Sequence, residues 1–298
     1  MGRLPGLLAA GLLMARPGPA GSPAVIVERG VEYGRAGTRP LLMDLSHPRE
    51  AAKSGRPAIV LVHGGGWVGG DRGDMMKSMV GYAEAGYFSA SVGYRLSPEA
   101  AFPAQIHDCK CAIRFLRGHA KRFALDPGRI GVVGWSAGGH LAALLGTSGG
   151  VRELEGDGGW RGVSSRVQAV CDYFGPADFT DWMTGHEWGA WNEDAKRAVL
   201  GLFGDARRNR PAAARMASPV TYASKDDPPF LIIHGTADPI VPFRQSELLR
   251  EALRKAGVEA GLVTVEGAGH GDASFWAAKP WEPEAAFFAR VLKAVRGI

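Results

Sequence analysis

Ser136 lies in Gly134-Trp135-Ser136-Ala137-Gly138-Gly139, directly after the apolar run Ile130–Trp135 and directly before a helix-like stretch, Ala137–Leu145. A nucleophilic serine needs this context. A sharp strand-to-helix turn leaves no room for side chains at its flanks and lifts the hydroxyl above the sheet. The free N–H groups of the helix start then face any negative charge that develops there. The bare pattern is weak in a chain with 43 glycines, and Gly146-Thr147-Ser148-Gly149-Gly150 matches it too. That second copy ends a helical stretch with no strand before it, so it reads as a C-terminal cap. The bland role for Ser136, a helix N-cap, leaves its flanking glycines unexplained.

A serine alcohol attacking a carbonyl needs a base, an acid to orient the base, and donors for the oxyanion. His270, in Glu266-Gly267-Ala268-Gly269-His270-Gly271, follows the last strand-like run and is the expected base. His63 and His234 end earlier strands and are assigned other jobs. His140, one turn after the serine, reads as a helix-packing residue, and His47, His107, His119 and His186 have no supporting context. Asp238, in His234-Gly235-Thr236-Ala237-Asp238-Pro239, follows a strand and is the expected acid, ahead of Asp227, Glu266 and Asp272, which read as turn or surface residues. The glycine run in His63-Gly64-Gly65-Gly66-Trp67 lets backbone approach a substrate. The expected oxyanion donors are the N–H groups of Gly65, Gly66 and Ala137. Losing one such donor typically raises a barrier by ~2.7–4 kcal/mol. Trp67 and Trp135 flank these groups and are expected to wall the substrate pocket.

Positioning these groups requires strands that end at one edge. Eight runs read as strands: Ala24–Glu28, Leu41–Leu45, Pro57–His63, Tyr87–Val92, Ile130–Trp135, Val167–Tyr173, Phe230–His234 and Gly261–Val265. Helical periodicity falls between them at Met75–Ala85, Pro103–Phe123, Ala137–Leu145, Phe243–Ala256 and Pro283–Val295. This alternation predicts an α/β domain over 24–298: a mostly parallel eight-stranded sheet with helices on both faces. From about 178 to 222 there is no strand-like run. That stretch, with Trp182, Trp188, Trp191 and the helical pieces Glu193–Leu202 and Pro211–Met216, is expected to be a small helical insertion over the active-site end of the sheet.

Composition is that of a globular protein, 46% hydrophobic and 22% charged. The formal net charge is +5, but the charges are scattered. The densest basic run, Arg207, Arg208 and Arg210, has no interleaved aromatics, so nucleic acid is not an expected partner. Cys109, Cys111 and Cys171 have neither metal-ligand nor bridging spacing and read as buried free thiols. Arg3, the apolar run Leu4–Met14 and the small residues up to Ala20 have the order of a secretory signal. The expectation is a signal peptide at 1–20, a secreted or periplasmic enzyme, and no membrane insertion after its removal, since the run is too short to span a bilayer.

With these residues in hand, the chain resembles the α/β-hydrolase esterases of the hormone-sensitive-lipase-like and bacterial feruloyl-esterase-like groups. The matching segments are His63 to Trp67, Tyr94-Arg95-Leu96, Asp126-Pro127 to Ile130, Trp135 to His140, and His234 to Pro242. The resemblance implies the α/β-hydrolase fold and a serine carboxylesterase that needs no cofactor or metal, with a triad of Ser136, Asp238 and His270. It implies a small-molecule or polysaccharide-linked ester as substrate, short-chain or aryl, as in feruloyl or acetyl-xylan esterases. No helical cap follows the signal-like segment, which argues against long fatty esters. His63 to Trp67 is also similar to the HGGXW motif of kynurenine formamidases, so arylformamidase, amidase or peptidase chemistry with the same triad is the alternative.

Overall fold

The computed structural model describes residues 25–52, 54–97, 99–180, 193–204, 210–277 and 281–293. The signal-like segment, Trp182, Trp188, Trp191, His186, Arg207 and Arg208 lie outside them.

Eight strands make one sheet: β1 (Val25–Ala36), β2 (Arg39–Pro48), β3 (Arg56–Val62), β4 (Phe88–Val92), β5 (Leu125–Trp135), β6 (Ala169–Tyr173), β7 (Phe230–Gly235) and β8 (Ala260–Val265). Their spatial order is β1-β2-β4-β3-β5-β6-β7-β8. Only β2 runs against its neighbours; all other pairings beyond it are parallel. This is the mostly parallel eight-stranded sheet expected, with β5 starting at Leu125 and not at Ile130 and a further difference at the sheet's edge. The β1–β2 hairpin spans 12 and 10 residues, well beyond 24–28 and 41–45. Register shifts between Glu28 and Val31 and between Glu32 and Gly34 break the period-two pattern by which a strand is recognised.

The helices are α1 (Met76–Glu84), α2 (Ala104–Gly118), α3 (Ala137–Thr147), α4 (Glu193–Phe203), α5 (Arg210–Ala217), α6 (Arg244–Lys255) and α7 (Trp281–Phe288). The long helix expected over 103–123 breaks at His119, after which Ala120–Phe123 forms a separate turn. The His119 ring nitrogen lies 2.9 Å from the Phe115 carbonyl, and its backbone N–H bonds the same oxygen, so the helix is capped there. Between β6 and β7 the described residues hold α4 and α5 and no strand.

Successive residues of β3 serve two apolar layers. Ala58, Val60 and Val62 join Ile106 of α2, Leu141 of α3 and Leu249 of α6; Ile59 and Leu61 join Met79 of α1 and Phe287 and Phe288 of α7. Burial of each such large side chain is worth roughly 1.5–3 kcal/mol. Helices therefore cover both faces, and the sheet is a rigid floor. The loops leaving β3, β5, β7 and β8 emerge at one edge, carrying Gly64–Gly66, Ser136, Asp238 and His270.

Candidate active site

Ser136 is the hinge between β5 and α3, with φ 55° and ψ −118°. This is a costly conformation for a residue with a side chain. A Cβ on Gly134 would collide with the Gly138 carbonyl, and one on Gly138 with the Val62 carbonyl, which is why both flanks are glycine. The Ser136 N–H bonds the Tyr173 carbonyl at 2.9 Å and the Ser136 carbonyl accepts from His140 N at 3.0 Å, so the turn is held from both sides. Ser148, in the second copy of the pattern, instead caps α3, its Oγ donating to the Leu144 carbonyl at 2.6 Å.

The loop after β8 brings His270 Nε2 to 2.8 Å from Ser136 Oγ, and His270 Nδ1 is 2.6 Å from Asp238 Oδ2. The edge of Phe174 packs on the His270 ring, centroids 4.7 Å apart, and the His270 side chain keeps 12% exposure. Asp238 is sealed from solvent. Its Oδ1 accepts from the N–H groups of Ile240 (2.8 Å) and Val241 (2.9 Å), and its Oδ2 also faces His234 Nε2 at 3.2 Å. Burial pushes its carboxyl up, but the bonds and charges of His234 and His270 outweigh that and hold it well below the usual carboxylate range. The three rival acids have local partners: Asp227 meets Ser224, Glu266 meets Thr236, and Asp272 meets Ser274.

The glycine loop lies against the elbow. A Cβ on Gly64 would be 2.9 Å from the Trp135 carbonyl oxygen and 3.5 Å from Ser136 Cβ. Gly65 and Gly66 have φ of +106° and +60°, a path open to glycine. The loop is braced from behind by His63, whose ring stacks on Tyr94 at 4.3 Å, and by the Tyr94 hydroxyl, which donates to the His63 carbonyl at 3.0 Å. Arg95 anchors the adjoining segment through Asp108 at 2.7 Å. On the outer side, Ala198 of α4 stands over Gly66.

The two tryptophans expected at the pocket wall are in the interior. Trp67 is 2% exposed and Trp135 5% exposed. Trp67 has φ 61°, and its indole N–H donates to His140 Nδ1 at 3.1 Å, while His140 Nε2 meets the Ala217 carbonyl at 2.7 Å. Burial drives the His140 imidazole down to about 4, so it stays neutral and can accept from Trp67. Trp135 stacks on Tyr173, centroids 5.5 Å apart. Neither ring has a free face to offer a substrate. The sequence carries no signal for Phe174, and it gives His234 another job without saying which, since no pattern of residue types says which way a ring nitrogen points. Among the described residues no group of three or more His, Cys, Asp or Glu could hold a metal ion, and no helix is long and apolar enough to cross a membrane. The three cysteines are buried and free.

The family model BD-FAE matches residues 43–253, a span that includes the glycine loop, the serine turn and Asp238. The chain belongs to the BD-FAE family. Esterase LipQ of Mycobacterium tuberculosis is 34% identical over 230 residues, 76% of this chain and 52% of that protein. The chain spans about half the length of these curated mycobacterial relatives. A truncated carbohydrate esterase from gut microbiota has the same fold, with a TM-score of 0.77 at 31% identity, covering 92% of this chain and 99% of that one. Thermogutta terrifontis esterase 2 with bound butyrate gives a TM-score of 0.75 at 28% identity over 93% and 98% of the two chains. The same enzyme phosphonylated by sarin gives 0.75 at 27% identity over 93% and 98%.

Proposed function

We propose that this BD-FAE member is a serine carboxylester hydrolase acting on short acyl esters, with Ser136 as nucleophile, His270 as base and Asp238 as the acid that orients it. The observation that carries this reading is the unbroken hydrogen-bond line from Ser136 Oγ through His270 to Asp238 Oδ2, at 2.8 and 2.6 Å. Ser136 Oγ forms a bond to the ester carbonyl carbon as its proton passes to His270 Nε2. The carbonyl π pair moves to oxygen, and the N–H groups of Gly65, Gly66 and Ala137 receive the oxyanion. Its collapse breaks the bond to the alcohol, which leaves with the proton from His270, and water then repeats the sequence on the acyl-serine. Sarin phosphonylation of the Thermogutta esterase supports an activated serine in this fold, since that reaction needs one.

The acyl group is acetyl to butyryl and the alcohol a carbohydrate. Support comes from the butyrate held by one structural neighbour and from another neighbour being a carbohydrate esterase. The interior position of Trp67 and Trp135 argues against an aromatic clamp for a feruloyl group. The arginine-led apolar segment at 3–14 supports export, where polysaccharide esters are met; N-terminal sequencing of protein recovered outside the cytoplasm tests that. The test of function is a substrate panel of p-nitrophenyl acetate, butyrate and decanoate, acetylated xylan, methyl ferulate and N-formylkynurenine, with Ser136→Ala as control. The expected order is acetyl and butyryl esters above decanoate, acetylated xylan above methyl ferulate, and no turnover by the folded Ser136→Ala variant. Preference for methyl ferulate would overturn the substrate reading, and full turnover by the variant would overturn the mechanism.

A further inference from the structure

The acid of the site serves two imidazoles. Asp238 Oδ2 is 2.6 Å from His270 Nδ1 and 3.2 Å from His234 Nε2, while Oδ1 is taken by two backbone donors. His234 ends β7 and is wholly buried. Its neighbours assign its hydrogen. Nε2 faces two groups that only accept, the Asp238 carboxylate and the Val241 carbonyl at 2.9 Å, so Nε2 carries the proton. Nδ1 lies 2.6 Å from Ser246 Oγ on α6, which can donate to it. Phe174 and Phe243 meet the ring in T-shaped contacts with centroids 6.2 and 5.6 Å away, fixing its plane. The groups in contact with the ring are Asp238 and the Val241 carbonyl from the loop after β7 and Ser246 from α6, and the more distant Asp172 carboxyl on β6 acts on it through charge alone.

We propose that His234 is a positioning residue for the reacting pair: by donating its Nε2 hydrogen to Asp238 Oδ2, with Ser246 fixing its tautomer, it aims the carboxylate at His270 and shares the carboxylate's charge. This rests on the reading of Ser136, His270 and Asp238 as the catalytic set. Two consequences follow, and they separate positioning from mere packing. Without the Nε2 hydrogen the carboxylate is free to turn, and the rate falls. The same carboxylate, accepting one bond fewer, is also a stronger partner for the imidazolium form of the base, so the acid limb of the rate profile moves to higher pH. Lost packing lowers the amount of folded enzyme and moves no limb.

The experiment compares His234→Leu, which has no donor, with His234→Gln, whose amide N–H can reach the same acceptor, each alone and with Asp238→Asn. The readouts are kcat and KM on p-nitrophenyl acetate, kcat/KM against pH, and the rate at which a fluorophosphonate probe labels Ser136. For His234→Leu the expected fall in kcat is about 10- to 100-fold, the range seen when outer partners of site residues are removed. KM should stay within about twofold, and the acid limb should rise by roughly half a pH unit or more. His234→Gln should recover most of the loss. Beside Asp238→Asn, removing His234 should cost less than about threefold, because the partner through which it acts is already gone. Should His234→Leu not fold, Ser246→Ala carries the test, since it releases the tautomer while leaving the ring in place; it should lower kcat and move the limb the same way. An acid limb that stays put, equal losses in both backgrounds, or a glutamine variant no better than leucine would overturn the proposal. Failure of the hydrolase reading looks different: Ser136 would not label with the probe in the wild-type protein, whatever stands at 234.

Discussion

Behind the loop after β7 and behind β6 lie two carboxyls that solvent does not reach, and the protein treats them in opposite ways. Asp238 accepts from Ile240 N, Val241 N, His234 and His270, and is held charged despite its burial. Glu284, on α7, meets the Tyr173 hydroxyl on the other face of the sheet. Burial pushes its carboxyl up to about 8, so at neutral pH it is largely protonated. The difference teaches what decides charge in an interior. Burial raises both carboxyls, more so the deeper Glu284, and only at Asp238 do donors and neighbouring imidazoles outweigh it. Four donors gather around the Asp238 carboxylate that faces His270. Glu284, with the Tyr173 hydroxyl as its donor, stays largely neutral between α7 and β6.

The strongest way to break this comparison is to remove the charge of Asp238 and keep its shape. Asp238→Asn retains an oxygen for the Ile240 and Val241 donors but offers an amide where His270 Nδ1 needs an acceptor, which favours the wrong tautomer of the base. The expected loss in kcat is about 10⁴-fold, the size known for such a change in a serine triad. Circular dichroism should show an intact fold. A variant that kept its rate would mean that the gathered donors serve folding alone.

Glu284→Gln tests the other half. A carboxyl whose value in the folded state lies above its unfolded value contributes stability that is complete below the unfolded value and declines as pH rises through the folded one. For Glu284 that window runs from about 4.5 to about 8. Within it wild-type stability should fall by up to about 1.4 kcal/mol per pH unit for this one proton. Glu284→Gln cannot ionise and keeps an oxygen for Tyr173, so its stability curve from urea melts should be flatter across that window. Parallel curves for the two proteins would show that Glu284 ionises at no cost.

These two carboxyls also mark what the residue order made legible. Ser136, Asp238 and His270 each follow a strand and stand beside glycine or a turn, so strand direction alone sends them to one edge, where hydrogen-bond distances now join them. The eight strands and the helices between them could be read for the same reason: continuous apolar runs and helical periodicity are local signals. The outer hairpin extends beyond the runs that the sequence marks, because register shifts in β1 interrupt that signal. Side-chain direction was not legible. Trp67 follows three glycines, which predicts a place at the pocket, yet a positive φ turns its indole inward to His140. The donor on His234 and the neutral Glu284 depend on partners from α6 and β6 that no sequence spacing connects to them.

Asp172 sharpens the comparison with the smallest expected effect, because it lies between the two cases. It sits on β6 beside Tyr173 but faces α3, with one oxygen accepting from Gly175 N at 2.9 Å and the other buried without a partner. Burial pushes it up, the field of His234 and the Gly175 bond draw it part of the way back, and the outcome is about 7. One donor and a distant imidazole thus leave it short of the charged state that four donors secure for Asp238. Its folded value is raised, so its share of stability is lost from about 3.8 up to about 7, and above that it adds no further slope. Asp172→Asn should therefore flatten the stability curve below pH 7 and leave the slope between about 7 and 8 to Glu284. At about pH 5 the change should cost roughly 1 kcal/mol or less, since the Gly175 bond survives and one unpaired polar atom replaces another. Urea melts at closely spaced pH values resolve the two windows. Parallel curves for Asp172→Asn and wild type between about 3.8 and about 7 would show that the Gly175 bond and the His234 field already suffice to charge a buried carboxyl, and that fewer donors than Asp238 has are enough.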